Sequence, residues 1–150
     1  MGSGSNASAF EALDRWMEFL QRVPELAEEA APLIAKELET QLRENIAAGR
    51  NPYGDPWPLK KDGSKPLVNA MKAITVKAVG TVILIVLEGV EVMHHVGNAR
   101  GYHGGSVRQG GFRRTIIPTG ELPGPFRGRI RSALTETWQH LRHTEKGRRK

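Results

Sequence analysis

Phe10, Leu13, Met17 and Leu20 recur at intervals of three and four residues, the spacing of one helix face. Ser8 followed by Glu11 places a capping box just ahead of them. Pro24 is expected to stop or restart this helix, because proline removes a backbone donor and clashes with the preceding turn. A second stripe follows in Leu26, Leu33, Ile34, Leu38, Leu42 and Ile46, with Pro32 either kinking it or sitting in its first turn. Gly49 suits the position just past the helix end.

Beyond Gly49 the pattern breaks. Roughly seventeen residues lead from Gly49 to Pro66, where about four to six usually suffice to leave a helix. Pro52, Pro56 and Pro58 stiffen this stretch around Tyr53 and Trp57, whose rings need an apolar surface to cover. Then the period shortens to two. Ile74, Val76 and Ala78 alternate with Thr75 and Lys77, as in a strand with one wet face. Val79-Gly80 reads as a tight turn, and Thr81 to Leu87 as a second strand, apolar on both faces. If Val82, Leu84 and Val86 pack on the helices, then Ile83, Ile85 and Leu87 need a second cover. That cover is a helix of the same chain or a neighbouring subunit.

Val90 to Asn98 reads as a short helical or irregular segment ending at Gly97. Gly101, Gly104, Gly105, Gly110 and Gly111 mark a loop, Phe112 to Ile117 resumes a strand, and Gly120 to Gly124 turns again. Pro125 fits the first position of a last helix with Phe126, Ile130, Ala133, Leu134, Thr137, Trp138 and Leu141 on one face. The predicted fold class is α+β: N-terminal helices, a small antiparallel sheet with a β-hairpin, and a C-terminal helix. Residues 1–7 read as an expression linker, 8–142 as a single domain, and 143–150 as a basic disordered tail.

Charge changes this picture in one respect. The net charge is +6, but residues 1–91 hold 10 Lys/Arg against 13 Asp/Glu, and residues 92–150 hold 12 against 3. A split of this kind favours contact with nucleic acid or an acidic protein face, or else marks a solvated surface with a basic tail. There is no cysteine, which excludes disulfides and thiolate-metal sites. Val82 to Leu87 is the longest apolar run, far short of the roughly 18 residues of a membrane span. A soluble chain with no membrane partner is expected.

Chemistry is sparse. His94, His95 and His103 could in principle approach one metal, but the adjacent His94 and His95 point in divergent directions and no carboxylate sits at ligand spacing, so no metal site is expected. Glu136, His140 and His143 read as an exposed polar face. Ser64, Ser106 and Ser132 lack a nucleophile-elbow context, and neither Gly63-Ser64-Lys65 nor the glycine cluster matches a phosphate-binding loop. No enzyme activity and no cofactor are expected; a hydrolase using His94 or His95 is the remote alternative. Arginines remain. Arg108, Arg113 and Arg114 bracket the glycine loop, and Arg127 and Arg131 share a face of the last helix, so these five are the candidate phosphate contacts. Without a base-reading motif, such contact would be nonspecific.

Across residues 33–130 the chain resembles the phage virion morphogenesis family, the tail-completion proteins of tailed phages and prophages, Mu-like ones included. Asn51-Pro52-Tyr53-Gly54-Asp55-Pro56-Trp57-Pro58-Leu59-Lys60, following a long helix, is similar to that family's Gly-x-x-Trp-x-x-Leu loop. Lys65-Pro66-Leu67 stands where the family has a Pro/Leu segment before its hairpin. Val92-Met93-His94-His95-Val96-Gly97 resembles its Tyr-Ala-x-x-His-x-x-Gly motif, His95 and Gly97 being the nearest matches, although the tyrosine is replaced. Phe112 to Pro118 approximates an Arg-Pro-Phe-type strand, and the tryptophan loop is about a residue short.

The resemblance implies a structural subunit that completes or terminates the tail and helps join it to the head. It implies a homo-oligomeric ring around the DNA channel, a hexamer by expectation, with tail-tube and head–tail connector proteins as partners and nonspecific dsDNA contact in the channel. The location implied is the virion tail or neck, after synthesis in the bacterial host cytoplasm. Tyr53, Trp57 and Leu59 would cover the subunit's own core or the adjacent protomer, with Ile83, Ile85, His95 and Gly97 as further assembly contacts. Residues 99–111 would order only against a partner. The alternative reading is a basic nucleic-acid-binding module.

Overall fold

The computed structural model describes residues 4–96 and 114–148. Gly97, Arg108 and Arg113, the glycine-rich segment and residues 99–111 lie outside them. The architecture is α+β, with a long N-terminal helix, a two-stranded antiparallel hairpin and a C-terminal helix.

A single helix, α1, runs through Gly4–Ala48, so the break expected at Pro24 does not occur. It also begins ahead of the Ser8 capping box, inside the segment read as a linker. Pro24 and Pro32 each deprive the carbonyl four residues earlier of its helical donor, at about 3 kcal/mol. Two features offset this. Glu25 to Ala31 are strong helix formers, and the helix is anchored on both sides of Pro24. Phe19 meets Trp138 edge-on at 4.9 Å, while Ala30 and Ala31 are buried. Gly49, at φ 71, ends the helix. Its N–H donates to the Ile46 carbonyl and that of Arg50 to the Asn45 carbonyl, both at 3.0 Å, which is the Schellman pair.

The short helix α2, Ala70–Ala73, leads into β1, Ile74–Val79, which pairs with β2, Val82–Leu87. Gly80, at φ 59, is the first residue of the two-residue turn, as a type II′ hairpin requires. The turn is therefore Gly80-Thr81, one residue later than the sequence suggested. An isolated hairpin is marginal in water, and this one packs its inner face on α1. Helix α3, Glu91–Val96, follows, and α4, Gly124–Arg148, lies along α1. It continues through 143–148, where a disordered tail was expected.

Leu38, Leu42 and Ile46 of α1, Trp57, Ile74 and Val76 of β1, Ile116 and Phe126 of α4 form the core. Residues 114–117 are not a strand. Their donors are taken elsewhere: the Arg114 N–H goes to the His94 carbonyl and the Ile116 N–H to His95 Nδ1, both at 3.0 Å.

Candidate assembly surfaces

The tryptophan loop is closed on itself before it touches anything else. Asn51 Oδ1 accepts the N–H groups of Tyr53 (2.9 Å) and Asp55 (3.0 Å), and the Asn51 N–H donates to the Asp55 carbonyl at 2.8 Å. The Trp57 N–H returns to the Gly49 carbonyl at 2.8 Å. Stiffness thus comes from an asparagine-led turn as much as from the prolines. Asn-Pro is a known turn starter, so the sequence carried that signal.

The loop's apolar residues part company. Trp57 is 6% exposed and its Nε1–H donates to the Thr115 carbonyl at 3.2 Å, so it belongs to the subunit's own core. Leu59 is 60% exposed. Tyr53 is exposed, but its hydroxyl accepts the Thr119 N–H at 3.2 Å. His95 also works internally, through the bond from Ile116. Accepting at Nδ1 requires that nitrogen to be unprotonated. Beside it, burial first and the Arg114 guanidinium second push the His94 imidazole below its ordinary value, with Glu91 opposing them.

The hairpin presents the opposite face from the one the Ile83 and Ile85 assignment needs. Val76 pairs with Ile85, Ala78 with Ile83 and Ile74 with Leu87, so all six share the inner face against α1. Ile83 and Ile85 are core-packed, not uncovered. Outside stand Val79, Val82, Leu84 and Val86, with Val82 56% and Leu84 45% exposed, beside Thr75 and Lys77. The reason is register. A two-residue turn aligns even positions of β1 with odd positions of β2, and one residue of slip would reverse every side chain.

A second uncovered surface was not foreseen. Leu38, Leu42 and Ile46 continue the helical face of Phe10, Leu13, Met17 and Leu20. Its C-terminal half is covered by the hairpin and Trp57. Its N-terminal half is bare, with Phe10 67% exposed, Trp16 62%, and Leu13, Met17, Leu20 and Val23 exposed as well. Trp16, Phe19 and Arg15 line an open hollow of about 290 Å³ on this arm. The stripe itself was legible; its lack of cover was not, because spacing reports a face and not what lies on it.

Of the candidate arginines, Arg114 is half-buried and its Nη2 donates to the Pro58 carbonyl at 3.3 Å. Arg127 pairs with Glu121 at 2.9 Å, and Arg131 is exposed on α4. The arginine with most work to do was missed. Arg129 reaches from α4 to three α1 side chains: Gln41 Oε1 at 2.7 Å, Glu37 Oε2 at 2.9 Å and Glu44 Oε2 at 2.7 Å. The bond to Glu37 first, then that to Glu44, and the charges of both carboxylates hold its guanidinium above the ordinary arginine value against the opposing effect of burial. Its signal was a seam of Glu37, Gln41 and Glu44 at helical spacing with no basic neighbour assigned to it.

Comparison adds no relative. No family model, curated protein or solved structure matches this chain. The resemblance to phage morphogenesis proteins therefore rests on the motifs. Among the described residues no group of three His, Asp or Glu converges to hold a metal, and no helix is long and apolar enough to cross a membrane.

Proposed function

We propose that this chain is a structural virion protein of a tailed phage or prophage, a ring-forming subunit that completes or terminates the tail and helps join it to the head. The observation that carries the reading is the pair of bare apolar surfaces, the outer hairpin face and the α1 arm. Monomeric proteins rarely leave contiguous apolar patches of more than a few hundred Å² in water. Two distinct patches on one subunit are what a head-to-tail contact needs, and such contacts close into rings when the rotation allows. The tryptophan-loop and His-Gly motifs supply the link to tail completion. Partners on this reading are copies of the chain, the tail tube and the head–tail connector, in the virion tail or neck. A hexamer is the expected count.

Negative-stain imaging of the purified chain, alone and with tail-tube protein, tests this. Annular particles with a central opening are expected. Isolated small particles in both samples contradict it.

A second reading, nonspecific binding of duplex DNA, is favoured by the excess of Lys/Arg after residue 91. It requires an affinity that falls steeply with salt. Binding that vanishes on removing 146–150 alone would reduce it to an effect of the terminal charges.

A further inference from the structure

The hairpin's inner face lies on the C-terminal half of α1, so its outer face points away from its own helix. The arm belongs to that same helix and cannot fold back over that outer face. Among the described residues nothing covers Val82, Leu84 and Val86. We infer that the bare stripe of α1 in one copy packs on the outer hairpin face of the next copy, head to tail. The inference rests on the ring-forming reading and names its two surfaces.

Three observations select this occupant. The first is continuity. Leu38, Leu42 and Ile46 already pack on one face of a hairpin, and the arm carries the same helical face onward. The second contact would repeat the first, leaving the hairpin between two helices, as sheets with two apolar faces require. The second is length. From Phe10 to Val23 the arm spans about 20 Å at 1.5 Å per residue, and the six-residue strands of the hairpin span about 20 Å as well.

The third is charge. Asp14 and Glu18 line one edge of the stripe at helical spacing, while Glu25 on the same edge is paired with Arg22 at 3.3 Å. Lys77 stands exposed on the outer hairpin face, opposite Leu84. The competing arrangement, two arms paired antiparallel about a two-fold axis, sets acidic edge against acidic edge. It also leaves the hairpin bare.

The test uses two full-length variants, each with one surface spoiled at exposed positions. One carries Leu13→Glu with Met17→Glu, the other Val82→Glu with Leu84→Glu, and mass is read by light scattering with and without tail-tube protein. Each variant alone is expected to be a monomer of 16.6 kDa. An equimolar mixture retains one intact contact per pair and is expected to give a dimer of twice that mass. Dimerisation of the hairpin variant by itself would show arm-to-arm pairing and overturn the inference. A monomeric mixture beside an assembling wild type would overturn it while leaving the ring reading intact. A wild type monomeric in both conditions overturns both.

Because the chain has no cysteine, a second measurement avoids the charged substitutions. Leu13→Cys and Leu84→Cys chains, mixed and oxidised, are expected to cross-link to each other in excess over like pairs. Equal or greater yields of like pairs contradict the head-to-tail contact.

Discussion

The Trp57 indole N–H donates to the Thr115 carbonyl at 3.2 Å, joining segments 58 residues apart. This bond fastens the tryptophan loop to residues 114–117, which His94 and His95 hold from the other side. Trp57→Ala removes a buried ring as well as the bond, and a loss of roughly 3–5 kcal/mol is expected. Leu59→Ala, two residues away and exposed, should stay within about 0.5 kcal/mol. Urea denaturation of both variants checks the contrast. Equal losses would show that the loop is not divided as described.

Among the described residues, Arg129 ties α4 to α1 through bonds to Gln41, Glu37 and Glu44. Arg129→Met keeps much of the stem's packing and deletes all three bonds, at an expected cost of about 1–3 kcal/mol. Arg129→Lys should recover only part of it, because an ammonium cannot reproduce the planar fork that reaches Glu37 and Glu44 together. Thermal unfolding at low and high salt reads both effects. A variant as stable as wild type would assign the α1–α4 contact to apolar packing alone.

Gly80 sits at φ 59, and a methyl group added there would meet no atom within 4 Å. Gly80→Ala therefore reports backbone strain free of steric clash. A loss of roughly 1–2 kcal/mol is expected, measured by denaturant midpoint. No loss would argue against this turn geometry.

His94 gives the fold a pH dependence. Its imidazole titrates below the ordinary 6.5 in the folded chain, because burial and the Arg114 charge outweigh Glu91. As pH falls, the unfolded chain takes up the proton first. The contribution is complete above about 6.5 and is lost as pH drops through that value toward the lower folded one. Thermal midpoints from pH 8 to pH 5 should fall, and His94→Gln should flatten the slope. An unchanged slope would remove His94 from this role.

Much of the fold was readable because period and composition agreed. Thr75 and Lys77 mark the wet face of β1, and the α4 stripe from Phe126 to Leu141 is buried or half-buried as spaced. β2 carries no such mark, since every residue from Val82 to Leu87 is apolar. Only pairing settles its face. With a two-residue turn at either position, Ile83 and Ile85 fall opposite even-numbered residues of β1, so the answer lay in the loop length and not in the strand. Pro24 misled for another reason. A proline's local cost was outweighed by contacts made far away in sequence, at Trp138. Residues 114–117 look like a strand by composition, yet bond to a tryptophan, two histidine residues and no neighbouring strand. The bare arm could not be read at all from spacing, because an apolar stripe looks the same whether covered or not.

The central claim is that copies of this chain assemble through surfaces left bare in the single subunit. The most direct measurement is the solution mass of the wild-type chain by light scattering coupled to size exclusion, alone and with tail-tube protein, across a range of concentrations. A discrete multiple of 16.6 kDa is expected, six-fold for a hexamer. A mass of 16.6 kDa at every concentration in both samples would contradict the claim.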